Sequence, residues 1–274
     1  MITCAITGSN GVLGKRLKKI LPYKFYEFKK DIRNIKNVEE WVSKKDFDIV
    51  IHLAALVSVN KVNKNYKKAH DINVKGTLNL MKSIINKKNK PKWIFFSSTS
   101  HVYKPTFKYK KINEKDKPNP QNKYGKTKLS AENYLKKKAK KNSIKICIGR
   151  IFSFTDIFQK PPYVIPSILR KIKSAKKKII LKNLNNYRDF LNTKDIVHAI
   201  DTLRKNEASG TYNIGSGINF DLRGIARIFA IKYKKRISFR DSKKCTYLIA
   251  NNTKIKKLGW TSSKYNENID YFYK

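Results

Sequence analysis

Residues 7–14 read Thr7-Gly8-Ser9-Asn10-Gly11-Val12-Leu13-Gly14, directly between an apolar run at 2–6 and a helical pattern at 12–20. Gly8 permits a tight turn off a strand, Gly11 lets backbone approach a pyrophosphate, and Gly14 lets the helix pack close to the strand. A helix starting there offers its free N–H groups and positive dipole end to phosphate. The chain thus opens with a strand–turn–helix suited to phosphate. Gly8, Asn10, Gly11, Val12 and Gly14 are its candidate binding residues.

Outward from this start, short apolar runs alternate with helical patterns. Strands are expected at 24–28, 48–53, 92–97 and 144–148, and helices at 37–44, 66–86 and 122–141, with a polar loop at 104–120. Such alternation is the signature of βαβ units and a parallel sheet. Beyond Arg150 the pattern loosens into helices at 164–174, 193–205 and 222–232 and short strands at 179–181 and 211–214. The expected fold class is α/β, a doubly wound parallel sheet. Residues 1–150 would form a dinucleotide-binding domain, and 151–274 a smaller substrate-binding lobe that partly returns to it. At the end of the second strand, Glu27 favours NAD through the adenosine ribose, while Lys29 and Lys30 suit NADP. The reading is NAD(P), leaning to NAD.

Tyr124-Gly125-Lys126-Thr127-Lys128 places a phenol and an ammonium four residues apart, on one face of a helix. A nearby ammonium is expected to lower the Tyr124 pKa. The phenol can then exchange a proton with a sugar hydroxyl while hydride moves to or from nicotinamide. Upstream, Phe96-Ser97-Ser98-Thr99-Ser100-His101-Val102-Tyr103 reads as a buried strand ending in hydroxyls. In open α/β folds the carboxyl edge of the sheet is where ligands bind.

With these segments, His52-Leu53-Ala54-Ala55, Asn73-Val74-Lys75-Gly76-Thr77, Arg150, RDFLNTKD at 188–195 and YNIGSG at 212–217, the chain resembles the extended short-chain dehydrogenase/reductase superfamily, in its NAD-dependent nucleotide-sugar epimerase/dehydratase branch. The resemblance implies a Rossmann-like fold. It implies that Thr99 contacts the reacting sugar oxygen, Tyr124 is the acid/base, Lys128 tunes Tyr124 and holds the ribose, and Asn73 supports the lysine or a water. Asp31, Ile32, Leu53, Ala54, Ala55 and Ser97 fall on the cofactor side, and Ser100, Ser153 and Arg188 on the substrate side. Ser100-His101 stands where the 4,6-dehydratases carry an acidic pair, so dehydration is not expected. Ser153 stands at the family's substrate-side Asn. The implied activity is epimerisation at C4 of a nucleotide-activated sugar. Reduction of a 4-keto-6-deoxy sugar nucleotide is the alternative, and a non-catalytic dinucleotide- or nucleic-acid-binding protein a third reading. Relatives often pair through the helices that here carry Asn73 and Tyr124, which implies a homodimer.

Composition bounds these readings. The chain has 274 residues, 40% of them hydrophobic, enough for a sizeable core. No stretch approaches the roughly 20 apolar residues of a membrane-spanning helix. The N-terminus lacks a secretory pattern. Cys4, Cys147 and Cys245 are far apart, which suits reduced thiols in a cytoplasmic protein. Four scattered histidines suggest no metal site. The 63 Lys and Arg against 19 Asp and Glu give +44, yet only ten are Arg and the lysines are spread along a chain also rich in Ile and Asn. A/T-rich codons write all three, so a solvated lysine surface is expected rather than a nucleic-acid face. The field still favours an anionic ligand.

Overall fold

The computed structural model describes residues 1–263. Six strands run parallel in one sheet, in the order Gly210–Ile214, Ile146–Ile151, Trp93–Thr99, Ile49–His52, Thr3–Thr7, Lys24–Phe28. The inner strands are apolar along both faces because helices cover both. Alternate residues serve opposite layers. Cys4, Ile6, Ile51, Phe95 and Cys147 pack with the helices Val12–Ile20 and Thr193–Lys205. Ala5, Val50, Ile94, Phe96 and Ile148 pack with the helices Ile35–Ser43, Gly76–Ile85 and Lys123–Asn142. This is the doubly wound α/β sandwich expected.

From the first strand the chain winds to one side, to Lys24–Phe28, and then returns to place Ile49–His52 on the other. The switch point therefore lies between Thr3–Thr7 and Ile49–His52, and doubly wound sheets open a ligand crevice above the carboxyl ends of such a pair.

The helix expected at 66–86 is interrupted. It runs as α-helix over Tyr66–His70, widens to a π turn over Asp71–Lys75 and resumes at Gly76–Ile85. Such single π turns often occur at functional sites, and this one carries Asn73. The loop at 104–120 contains a two-residue strand, Lys111–Ile112, paired with Thr246–Ala250.

After Ile151 the chain is divided between two places. Thr193–Lys205 and Gly210–Ile214 belong to the main sandwich. The helices Val164–Ser174 and Leu222–Lys232 gather Ile165, Ile168, Leu181, Phe190, Phe220 and Phe229 into a separate apolar cluster. Residues 264–274 of the expected lobe lie outside the described residues. Among the described residues no helix is long and apolar enough to cross a membrane.

Candidate active site

A cavity of about 660 Å³ opens at the carboxyl edge of the sheet, over the switch point. Its floor includes Gly8, Gly11, Val12 and Gly14. Gly8 has φ +74°, and a Cβ there would stand 2.7 Å from the Ala54 nitrogen. A Cβ on Gly14 would stand 2.6 Å from the Gly8 oxygen. Both positions thus require glycine, one for the turn and both for close backbone approach. The helix begins at Gly11 with no side-chain cap. Its first N–H groups are therefore open to an anion in the cavity.

Leu53, Ala54 and Ala55 line the next stretch of wall. A directed chain of hydrogen bonds fixes them. The Ala54 N–H donates to Thr7 Oγ1 (3.2 Å), and Thr7 Oγ1 meets His52 Nδ1 (2.6 Å). His52 Nε2 meets Thr77 Oγ1 (2.9 Å), which donates to the Asn73 carbonyl (2.7 Å). Because Thr77 spends its proton on Asn73, His52 carries its own on Nε2. Burial and the nearby Lys128 charge push the imidazole down to about 3, so it is neutral. The structure makes it a polar link between the cavity wall and the π turn.

Asn73 is buried, with Oδ1 accepting from the Leu56 N–H (2.7 Å) and Nδ2 donating to Thr127 Oγ1 (3.0 Å) and the Leu56 carbonyl (3.1 Å). It thus ties the wall to the helix that carries Tyr124 and Lys128. That helix starts on Asn122, whose side chain accepts from the Gly125 N–H (2.8 Å).

Ser97, Thr99, Ser100, His101 and Tyr124 line the cavity together. The Tyr124 phenol lies beside the Thr99 side chain, which pulls its pKa down, and its ring meets the His101 ring edge-on at 5.7 Å. The electrostatics differ from the expectation. Burial holds the Tyr124 phenol above its ordinary pKa, against the pull of Thr99. Lys128 is buried behind the wall, with Nζ 4.1 Å from the Phe96 ring centroid. Desolvation pushes this ammonium down to about 7, against the opposing pull of Glu132. Lys128 lies one helical turn from Tyr124, and for both groups loss of water is the largest cause of the shift.

Behind them lies a buried polar network. Glu132 pairs with Arg150 (2.7 Å) and accepts from Ser98 (2.5 Å), while Arg150 donates to the Tyr103 hydroxyl (2.7 Å), itself bonded to Asn213 (2.8 Å). Both charges are paired and hydrogen-bonded, as buried ions must be. The network joins three strands to the helix Lys123–Asn142.

On the far side, Ser153 and Arg188 line the cavity. The Arg188 guanidinium donates to the carbonyls of Tyr187 (2.7 Å) and Thr246 (2.9 Å). Among the described residues no carboxylate lies within salt-bridge distance of it. Burial lowers its pKa to about 10, so it remains a cation facing the cavity. Next to it, buried Asp189 accepts from Ser216 N and Oγ (both 2.7 Å), Gly217 N (2.8 Å) and Ala250 N (3.1 Å). This anchors the strand that presents Arg188.

Four candidates stand apart. Asn10 is exposed and Ile32 is packed in the core, neither lining the cavity. Asp31 is exposed and forked to Arg33 (2.5 Å). Glu27 pairs with Lys18 (2.9 Å) and hydrogen-bonds Ser9. Conversely, sequence reasoning missed Phe154, Gln159, Tyr163 and Phe190 in the cavity wall, and Glu132 behind it. The segment 156–163 has no periodicity to announce it. The spacing Tyr124, Lys128, Glu132 was a visible i, i+4, i+8 signal.

A family model described as GDP-mannose 4,6-dehydratase matches residues 12–268. A dTDP-D-glucose 4,6-dehydratase of Dictyostelium discoideum is 32% identical over 226 residues, 78% of this chain but 51% of that protein's length. A GDP-6-deoxy-D-talose 4-dehydrogenase of Aggregatibacter actinomycetemcomitans is 28% identical over 235 residues, covering 81% of this chain and 77% of that one. The Pseudomonas aeruginosa protein RMD, solved with NADPH, superposes with a TM-score of 0.88 at 21% identity, over 97% of this chain and 95% of that one. The chain belongs to the GDP-mannose 4,6-dehydratase family, within the extended short-chain dehydrogenase/reductases that include nucleotide-sugar dehydratases, epimerases and reductases.

Proposed function

We propose that the chain is a nicotinamide-dinucleotide-dependent enzyme that epimerises a nucleotide-activated sugar at C4. The observation that carries this reading is the placement of Thr99 and Tyr124 together in the wall of a cavity whose floor is the glycine turn. The turn fits a dinucleotide, since Gly8 and Gly14 leave bare backbone and the helix N-terminus has no side-chain cap. NAD is the proposed form, because Glu27 stands at the end of the second strand and Asp31 just beyond it; NADP is the other arm of the test.

When bound, the oxidised nicotinamide supplies a hydride acceptor. The residues of the chain handle the rest. Thr99 holds the C4 oxygen, and Tyr124 takes the hydroxyl proton and later returns it. Lys128, pushed down to about 7, serves as the buried proton partner behind the phenol. Arg188 meets the diphosphate, where a guanidinium with carbonyl partners but no carboxylate still has charge to offer. The elements gathered around Phe190 and Phe229 act as the substrate-binding lobe. A homodimer is proposed by analogy with the family.

A second reading is reduction of a 4-keto-6-deoxy sugar nucleotide. It is favoured by the raised Tyr124 phenol, which suits proton donation. The test is a panel of UDP-, GDP- and dTDP-sugars with NAD and NADP. Conversion of a sugar nucleotide to its C4 epimer with no net change in the dinucleotide supports the epimerase. Stoichiometric consumption of NAD(P)H with a 4-keto sugar nucleotide supports the reductase. Inertness towards all of them rejects both.

A further inference from the structure

One polar group in the cavity wall is left over from the chemistry above. Gln159 is 8% exposed and lines the cavity, and its Oε1 is buried with no hydrogen-bond partner among the described residues. Native folds seldom leave a buried acceptor unmet without a use for it. Phe154, Pro162, Val164 and Ile165 line the same cavity. Binding sites of this kind are mostly apolar, with a few fixed polar groups that select the ligand.

The residue is held in place. Asp156 is forked to Arg16 on the first helix (2.7 and 3.3 Å) and accepts the Thr193 hydroxyl. Asp156 also accepts the Phe158 N–H (2.9 Å), and its carbonyl accepts the Gln159 N–H (2.9 Å). The Arg16 guanidinium lies 5.0 Å from the Phe158 ring centroid. The strap 156–163 is therefore pinned at its start to the helix that follows the glycine turn. Four residues beyond Gln159, Tyr163 lines the cavity too and is close enough to act on the Tyr124 hydroxyl. The strap thus runs past the proposed reacting position.

We propose that Gln159 is a specificity-determining residue, whose side chain turns so that Oε1 meets the cavity and accepts a hydrogen bond from a ring hydroxyl of the sugar carried by the nucleotide. This rests on the sugar-nucleotide reading above. A lone carbonyl oxygen needs a donor; pyranose hydroxyls supply one, whereas phosphate oxygens would repel it. The dinucleotide riboses also carry hydroxyls, so the test has an arm for each source.

Gln159→Leu keeps the volume and removes the acceptor, and Gln159→Asn keeps the amide but withdraws it. Both should retain the thermal midpoint of the unaltered protein, since no protein hydrogen bond to Oε1 is lost. Calorimetric titration then gives the affinities. The proposal expects Gln159→Leu to weaken the sugar nucleotide roughly tenfold or more, because a site built around a hydroxyl discriminates strongly through it. It expects Gln159→Asn to fall between, and dinucleotide affinity to stay within about twofold. One monodeoxy analogue of the sugar should bind equally to the unaltered protein and to Gln159→Leu. Unchanged sugar-nucleotide affinity in both variants overturns the assignment, as does a loss confined to the dinucleotide. Failure of the unaltered protein to bind any sugar nucleotide overturns the parent reading as well, and is seen before a variant is made.

Discussion

In the proposed reaction Tyr124 and Lys128 set the proton chemistry, and their burial gives it a direction. With the phenol raised above its ordinary pKa, the phenolate fraction grows about tenfold per pH unit through the neutral range. Oxidation of the sugar should therefore speed up as pH rises, and reduction should be nearly flat, in single-turnover rates where the chemical step is observed. A flat oxidation profile would remove Tyr124 from the base role. Lys128 makes a stability prediction. Its folded pKa, about 7, lies below the unfolded value of about 10.4. The unfolded chain then binds more protons between these limits, so stability rises with pH across that window and the full penalty is present below it. Lys128→Met should gain more stability relative to the parent at pH 7 than at pH 10, read from urea midpoints. An equal gain at both would place the ammonium in water. The motif at 124–128 was legible because its four-residue spacing needs only local helix. The sign of the phenol shift was not, because burial of Tyr124 depends on elements far along the chain.

At the scale of elements, the glycine turn and the buried ion pair are the tight points. Gly14→Ala places a methyl group against the Gly8 carbonyl at 2.6 Å. Overpacking of this kind costs about 1–3 kcal/mol, and it should also weaken dinucleotide binding, measured by fluorescence titration on the folded variant. Retained stability and affinity would show that the helix can move away from the turn. Glu132→Gln removes the partner of Arg150 at 2.7 Å and leaves a buried guanidinium unpaired. Breaking such a pair costs about 3–5 kcal/mol, to be read from chemical unfolding; a loss under about 1 kcal/mol would mean that Tyr103 and the neighbouring carbonyls suffice. The helices Val12–Ile20, Val164–Ser174, Thr193–Lys205 and Leu222–Lys232 were legible because each carries a 3.6-residue apolar stripe of its own. The π turn at Asp71–Lys75 was not, since its pattern continues that of the flanking helix. Short strands such as Ser153–Thr155 and Asn186–Arg188 were also hidden, because partners distant in sequence define them.

At the scale of the molecule, the parallel sheet brings distant groups to one cavity. Gly8 and Thr99 meet because crossovers return their strands in the same direction, while Tyr124 arrives on the helix Lys123–Asn142 and Arg188 on the strand Asn186–Arg188 of a separate sheet. The charge of +44 surrounds that cavity with a positive field. A diphosphate-bearing substrate should accordingly bind more weakly as salt is raised through the range where the Debye length falls below about 10 Å. An unchanged KM between low and high salt would confine substrate attraction to Arg188. In the proposed reaction hydride passes between C4 of the sugar and nicotinamide while Tyr124 moves the proton. The fate of deuterium at C4 of a substrate sugar nucleotide reads this route. With NAD bound, the deuterium should be retained at C4 of the epimer, and Tyr124→Phe should slow the conversion about 100-fold or more while still binding dinucleotide. Loss of the label to water, or undiminished conversion by Tyr124→Phe, contradicts this route.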